Sequence, residues 1–267
     1  MTSAARWSVR TVVLAYLAFL LVMPVGVILY RTFQHGLSPV FDTLTTSEAA
    51  HAFQVTLIVA LCAVVLNTVF GVGAAILLVR HRFPGRRILD ALIDLPIAVS
   101  PVVVGLALTL VYGSRTSFGG WLADHGIQII FSLPGMVMAT SFVALPLVVR
   151  AVAPVLEEIG DEQEQAAATL GANAFQRFTR ITLPSIRGAL AYGVVLSLAR
   201  ALGEFGAVAV VSGRLIGKTE TVPLYVLDLY NNFNQTGAYA AATSLVVVAV
   251  AALVASRFLR PRAGVTT

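Results

Sequence analysis

The sequence has 267 residues, of which 58% are apolar and 12% are charged, and its formal net charge is +5 at pH 7. In soluble domains about a quarter of the residues are charged. A soluble core cannot hold this excess of apolar side chains, so the composition excludes an ordinary soluble domain and indicates a membrane protein.

The apolar residues fall into six runs, each near the roughly 20 residues that a helix needs to cross a bilayer. These runs predict transmembrane helices at about 11–30, 54–79, 91–113, 129–149, 189–211 and 238–256. The stretch from Leu57 to Val79 is apolar on all faces, whereas the strands of a membrane β-barrel alternate in polarity. The predicted fold class is therefore an all-α membrane protein with six transmembrane helices.

The arginines define an orientation. Most of them lie before the first run, between the second and third runs, between the fourth and fifth runs, and after the sixth. The basic residues of the opposite connections are Arg31, Arg115, Arg214 and Lys218. Because basic residues in short connections are retained on the cytoplasmic side, both termini are expected in the cytoplasm. The basic character thus reflects topology beside membrane lipid and does not indicate a nucleic-acid partner.

The first run resembles the start of a signal peptide, because Arg6 and Arg10 precede it. It is too long for the apolar core of a signal peptide and lacks a small-residue cleavage site, so we expect a retained first helix. Three regions follow: residues 1–50 with the first helix and an outer connection, a transmembrane domain over 51–258, and a cytoplasmic tail over 259–267.

A cytoplasmic loop over 150–188 interrupts the transmembrane domain and carries the signals of a short helix. Asp161 followed by Glu164 predicts a capping box, the residues up to Leu170 are good helix formers, and Gly171 suits a left-handed stop. A helix of under three turns is unstable alone in water. Tertiary or partner contacts are therefore expected to hold it.

The surface of this loop is predicted to have two parts. Ala166, Ala167 and Ala168 have small side chains, so another backbone can approach this surface closely. Phe175 and Phe178, with Ile181 three residues later, form an apolar stripe that we expect to pack against the rest of the chain.

The stretch Gln165-Ala-Ala-Ala-Thr-Leu-Gly171, followed after nine residues by Ile181-Thr-Leu-Pro184, resembles the EAA motif of ABC importer permeases. The resemblance implies the type I (MetI-like) permease architecture. It also implies that the motif forms a coupling helix, which inserts into a groove of a separate ATP-hydrolysing subunit and converts closure of that subunit into helix movement. The residues predicted to couple to the ATPase are Glu164, Gln165, Ala166, Ala167, Gly171, Ile181, Leu183 and Pro184. Gln165 stands where the family usually has Glu, so the adjacent Glu164 is a second candidate for that role.

A second stretch, Ala199-Arg-Ala-Leu-Gly-Glu-Phe-Gly-Ala207, resembles the sulfate and molybdate permeases. Residues 211–214, 217–224 and 229–231 are most similar to the sulfate/thiosulfate (CysW-type) branch. The resemblance covers most of 50–258 and implies a permease subunit that moves sulfate or thiosulfate across the bacterial cytoplasmic (inner) membrane.

The same resemblance implies the partners of the chain. These are a second homologous permease, two ATP-binding-cassette ATPase subunits and an external sulfate-binding protein. No cofactor is expected on this chain, because ATP and Mg²⁺ belong to the ATPase. A molybdate/tungstate permease remains an alternative. A secondary transporter driven by an ion gradient is the alternative of another class, although such a chain normally contains two repeats.

Two ionisable residues fall inside the fifth predicted helix. Arg200 and Glu204 are four residues apart, which places them on one face. An ionisable residue in a membrane is costly unless it is paired or faces water. Arg200 therefore either faces the translocation pathway or forms a fixed pair with Glu204 that holds a subunit interface. Ser100, beside Pro101 in the third predicted helix, is a candidate for weak contacts with the solute.

The sequence carries no signature of an enzyme or a metal site. Cys62 is its one cysteine, and its four histidines, His35, His51, His81 and His125, have no metal-ligand spacing. Residues 212–219 differ from a phosphate-binding loop because Ser212 stands in place of the first Gly, and they follow a membrane helix. We therefore predict a transport subunit and not an enzyme.

Overall fold

The computed structural model describes residues 3–34 and 36–259, and within these ranges the secondary structure is helical without strands. His35 lies outside the described residues, as do Arg260 and Arg262, which are among the arginines after the sixth run, and the predicted tail beyond residue 259. The helices are α1 (Ser3–Leu17), α2 (Met23–Phe33), α3 (Ser38–Leu44), α4 (Ser47–Arg80), α5 (Arg86–Ala98), α6 (Pro101–Tyr112), α7 (Ser117–Asp124), α8 (Leu133–Ile159), α9 (Glu162–Thr169), α10 (Ala174–Arg177), α11 (Leu183–Leu202), α12 (Gly206–Val211), α13 (Val222–Asn231) and α14 (Gln235–Leu259). Single π-helical turns, Ala18–Val22 and Phe178–Thr182, join α1 to α2 and α10 to α11.

Four helical segments of the described chain are long and apolar enough to cross a membrane. They are Val9–Phe33, Ser47–Arg80, Leu133–Ile159 and Ala174–Leu202. A fifth span is obtained if the bent pair α5–α6 counts as one span. The apolar part of α14, Gln235–Ala251, is shorter than these four segments. The prediction of an all-helical fold is confirmed. By length and composition, however, the described residues contain four or five candidate membrane spans, which is fewer than the six transmembrane helices predicted.

The third predicted helix, 91–113, is wrong as a continuous helix. α5 and α6 meet at an angle of 114°. Ser100, which precedes Pro101, has φ −58° and ψ 134°, an extended conformation favoured by the ring of a following proline. Because Pro101 also lacks an N–H, the hydrogen-bond ladder cannot continue through this point.

The fifth predicted helix is also interrupted. Its membrane helix ends at Leu202, and the chain resumes as the short α12 at Gly206. At its N-terminal end, α11 is continuous with α10 through the π-helical turn, so this helical segment begins at Ala174. The preceding membrane helix, α8, extends to Ile159. The loop predicted over 150–188 is therefore mostly an extension of two membrane helices, with α9 in the turn between them.

The core forms where α4, α8 and α11 pack side by side. Small residues permit this close approach, as expected for helices in a membrane. A Cβ added to Gly193 in α11 would lie 3.1 Å from the Cα of Val148 in α8. α14 packs on the outside of this group, where the hydroxyls of Thr32 and Thr243 are hydrogen-bonded at 2.7 Å.

Candidate functional site: a short helix between two long ones

α9 ends just before Gly171, as the sequence predicts. Gly171 adopts φ +87°, a conformation open mainly to glycine. The N–H of Ala172 donates to the carbonyl of Ala167, and the N–H of Gly171 donates to that of Ala168, both at 3.0 Å. These bonds satisfy the carbonyls at the helix end in the manner of a Schellman motif. The chain then turns sharply toward α10.

The predicted capping box at Asp161 is wrong. Asp161 precedes the helix, but its side chain caps no backbone N–H and accepts a 2.7 Å hydrogen bond from Nε2 of Gln165 instead. A capping box forms one helix later, where Asn173 and Gln176 exchange side-chain-to-backbone bonds of 2.9 Å. The capping box at Asp161 does not form because the Glu164 side chain binds a charged residue of another helix instead.

That charged residue is Arg80, the last residue of α4. Oε1 of Glu164 lies 3.4 Å from Nη2 of Arg80 and accepts a 2.9 Å hydrogen bond from the Thr182 hydroxyl, just before α11. Gln165 is exposed on the outer side of the same helix. Of the two candidates for the glutamate role of the motif, Glu164 therefore faces the membrane helices and Gln165 faces away from them.

The apolar stripe predicted beyond Gly171 is only partly correct. Phe178 packs against the buried cluster between α4, α8 and α11, and Ile181 lines a small cavity beside Thr182. Phe175 is 74% exposed, because the short α10 turns it away from the chain. No sequence pattern indicated that the side chain of Leu170, the residue that follows α9, is 89% exposed. Two large apolar side chains thus flank α9 without covering from this chain.

The alanines and the distal part of the motif lie where the chain passes from α9 to α11. Ala166 is exposed, and Ala167 is half-buried. Leu183 and Pro184 are the first residues of α11 and directly follow the π-helical turn, where the missing N–H of Pro184 removes one helical hydrogen bond. The motif therefore brings one exposed helix and the start of one membrane helix together.

A second group of predicted residues lies at the two helix interruptions, which are the bend between α5 and α6 and the break between α11 and α12. Nη1 of Arg200 is 2.7 Å from Oε2 of Glu204, and Oε1 of Glu204 accepts a 2.9 Å bond from the N–H of Ala207 at the start of α12. Glu204 is 3% exposed, whereas the Arg200 side chain is 38% exposed. The predicted pair is formed, and its carboxylate also caps α12, a role the sequence did not reveal.

The two interruptions face one another. A Cβ added to Gly206 in α12 would lie 3.1 Å from the Cβ of Pro101, the first residue of α6. A Cβ added to Gly105 would lie 2.7 Å from the carbonyl oxygen of Ala207. Ser100 is exposed at the bend before α6, and its hydroxyl caps no N–H of that helix. Ser100 and the Arg200–Glu204 pair therefore lie at the ends of two short helices in contact.

An ion-pair group at the other end of α5 was not predicted. Arg150 in α8 donates hydrogen bonds of 2.8 and 2.6 Å to the two carboxylate oxygens of Asp94 and one of 2.7 Å to Asp90. Asp90 and Asp94 are one turn apart, as the sequence indicates, but their partner is 56 or 60 residues away along the chain. This group fixes α5 to α8.

Comparison with known proteins identifies the family of this arrangement. The family model of the binding-protein-dependent transport system inner membrane component matches residues 67–265. The chain belongs to this family. The permease is 47% identical to the sulfate transport system permease protein CysW of Synechocystis sp., over 98% of its own length and 95% of that protein. It is 45% identical to CysW of Escherichia coli K12, over 96% and 88% of the two chains.

A second group of relatives is more distant. The permease is 37% identical to the sulfate transport system permease protein CysT of Escherichia coli K12, over 94% of this chain and 91% of that protein. These names confirm the predicted ABC importer permease family, its sulfate branch and the prediction of a transport subunit rather than an enzyme.

Among solved structures, the permease is similar to a chain of a bacterial alginate ABC transporter in complex with an alginate-bound periplasmic protein. The TM-score is 0.79 at 16% identity, over 96% of this chain and 93% of that one. At this identity the similarity shows the fold alone.

Proposed function

We propose that this permease is one of two membrane subunits of an ATP-driven importer of sulfate, with thiosulfate as a second solute, in the bacterial cytoplasmic membrane. The observation that carries the proposal is α9, a short exposed helix that follows the EAA pattern and is fixed to two membrane helices through Glu164. The CysW and CysT names of the relatives support the solute.

Six membrane crossings with both termini in the cytoplasm are part of this proposal. The bent pair α5–α6 counts as the third crossing, and α14 counts as the sixth. With an even number of crossings the arginine-rich connections and α9 all face the cytoplasm, as the distribution of basic residues requires.

The partners are a second, non-identical permease, two ATPase subunits that bind ATP and Mg²⁺, and an external binding protein. The relatives named CysW and CysT support the pairing of two different permeases, since both are called permease proteins of a sulfate transport system. The description of the family as a binding-protein-dependent transport system supports an external binding partner.

The ATPase contact is assigned to the exposed side of α9. Gln165 and Ala166 are exposed there, and Leu170 adds a large apolar side chain at the helix end. ATP binding draws the two ATPase subunits together, pulls α9 with them and opens the solute cavity outward, and hydrolysis resets it.

The solute pathway is assigned to the facing helix interruptions. Ser100 and the exposed part of Arg200 supply weak polar contacts, while Glu204 keeps Arg200 from binding a dianion too tightly to release it. The competing role of the pair, to hold the interface with the second permease, predicts that Arg200→Gln prevents assembly. In the pathway role, Arg200→Gln leaves assembly intact and lowers uptake.

Coupling is tested with Gly171→Pro in membranes that contain the complete transporter. Proline cannot adopt φ +87° and lacks the N–H that bonds Ala168. ATP-driven sulfate uptake should be lost while the assembled complex still hydrolyses ATP. Normal uptake by this variant would refute the coupling role of α9.

The solute is tested by uptake of radiolabelled sulfate in competition with thiosulfate, molybdate and tungstate. Competition by thiosulfate alone supports the proposal. A stronger preference for molybdate or tungstate would support the alternative permease branch with the same architecture. Uptake driven by an ion gradient without ATP would support a secondary transporter instead.

A further inference from the structure

Glu164 differs from its acidic neighbours on the short loop helix because its side chain points back into the chain. Asp161 and Glu162 are exposed. One carboxylate oxygen of Glu164 contacts both Arg80, at the end of α4, and Thr182, the last residue of the π-helical turn before α11. Three elements that are distant in sequence thus meet at a single atom.

The contact lies in a confined setting. The side chains of Arg80 and Glu164 are 12% and 20% exposed. Leu156, Ile159 and Ile181 line the adjoining cavity, whose volume is only about 10 Å³. A charge-assisted hydrogen bond is stronger where water is excluded. The cavity also leaves no room for the carboxylate to move aside without a change in the helices around it.

Arg80 depends on this carboxylate. Its Nε is buried and has no hydrogen-bond partner, and Glu164 is its ion-pair partner among the described residues. A buried guanidinium that loses its counter-charge is strongly unfavourable. Any displacement of α9 that separated Glu164 from Arg80 would incur this cost, whereas a joint displacement of α9 and α4 would not.

We propose that Glu164 is a positioning residue that clamps α9 to α4 and α11, so that a displacement of α9 moves both membrane helices with it. This inference rests on the proposed function, in which the ATPase pulls α9. The two neighbouring polar residues then have separate tasks: Gln165 faces the ATPase, and Glu164 transmits the movement inward.

The first test measures sulfate moved per ATP hydrolysed by the complete transporter in proteoliposomes. Glu164→Gln keeps an acceptor for the Thr182 hydroxyl but removes the charge that faces Arg80. We expect the ratio to fall about ten-fold, with assembly and ATP hydrolysis retained, as for loss of a coupled pair. Glu158→Gln, at the exposed end of α8, removes the same charge away from the clamp and should leave the ratio unchanged.

Two further variants separate the clamp from a general structural role. Arg80→Gln should reproduce the loss, and the double variant with Glu164→Gln should lose no more than either single one. Thr182→Val keeps the side-chain shape and should cause a smaller loss. Additive losses, or uptake and hydrolysis that fall in proportion with the amount of folded protein, would overturn the proposal.

A second test does not depend on the solute or on ATP. Spin labels at Glu162→Cys in α9 and Leu77→Cys in α4, both exposed positions, are introduced into the purified chain with Cys62→Ala. The wild-type clamp predicts one narrow distance distribution, which Glu164→Gln should broaden and Glu158→Gln should not.

An equally narrow distribution in Glu164→Gln would overturn the clamp even in a working importer. A wild-type transporter that moves no sulfate with ATP would refute the proposed function and leave this distance measurement decisive.

Discussion

Gly71 in α4 lies directly against Val148 in α8. A Cβ built on Gly71 would be 2.9 Å from both Cβ and Cγ1 of Val148, which is closer than real side chains approach. Val148 is fully buried, and the backbone of α11 lies against its Cα at Gly193. The contact between α4 and α8 therefore has no room for a methyl group at residue 71.

We expect Gly71→Ala to destabilise the permease by about 1–3 kcal/mol, because the added methyl overpacks a rigid contact. Gly73→Ala, two residues along α4, is the matched control, since nothing lies within 4 Å of its added Cβ. Thermal unfolding of the purified chain in detergent measures both. A Gly71→Ala variant as stable as Gly73→Ala would mean that the two helices are further apart than described.

Glu204 should be more sensitive to loss of its side chain than to loss of its charge. Glu204→Ala leaves the Ala207 N–H uncapped and Arg200 without its counter-charge, whereas Glu204→Gln keeps an acceptor for Ala207. Since Arg200 is partly exposed, solvent moderates the cost, and we expect Glu204→Ala to lose about 2 kcal/mol and Glu204→Gln about half of that. Equal unfolding temperatures for the two variants would contradict the capping role.

Much of the fold follows from local patterns. The apolar run Leu57–Val79 lies within α4, and Gly171 ends α9 with the left-handed conformation expected of it. Both features depend on residues that are neighbours in sequence, where periodicity and glycine placement carry the information. The EAA pattern likewise identified the exposed helix.

The remaining features depend on contacts between distant residues. Pro101 is a local signal for a break, but the close approach of Gly206 and Gly105 to the other broken helix is a tertiary property. The pattern Asp161–Glu164 predicted a capping box that Arg80, 84 residues away, prevents by binding Glu164. A single sequence without the fold cannot rank these competing partners.

Gly171 should tolerate asparagine better than valine. Nothing lies within 4 Å of a Cβ added at this position, so the cost comes from the φ of +87° alone. Asparagine adopts the left-handed region readily, whereas a β-branched side chain is strained there by roughly 1–2 kcal/mol or more. ATP-driven uptake should therefore remain close to that of the wild type in Gly171→Asn and fall in Gly171→Val. The reverse order would mean that side-chain contacts, and not backbone conformation, determine this position.

The stability of the permease should depend on pH through Glu220, which lies in the connection between α12 and α13 with 2% of its surface exposed. Burial, the hydrogen bond with Asp228, and the charges of Asp228 in α13 and Glu48 in α4 together raise the pKa of its carboxyl from 4.5 to about 7, with burial the largest cause. The folded chain thus holds this proton more tightly than the unfolded chain. The free energy of unfolding should fall as the pH rises from 4.5 to about 7 and should change little from this group above that range.

Glu220→Gln removes the titrating proton and keeps a donor for Asp228. At about pH 8 the variant should be more stable than the wild type by up to about 3 kcal/mol, and the difference should vanish toward about pH 5. Thermal unfolding across this range measures the effect, with the exposed Asp124→Asn as the control. If the unfolding temperatures of the wild type and Glu220→Gln changed in parallel with pH, the Glu220 carboxyl would be ionised in the folded chain over this range. Burial and the nearby Asp228 and Glu48 would then not raise its pKa.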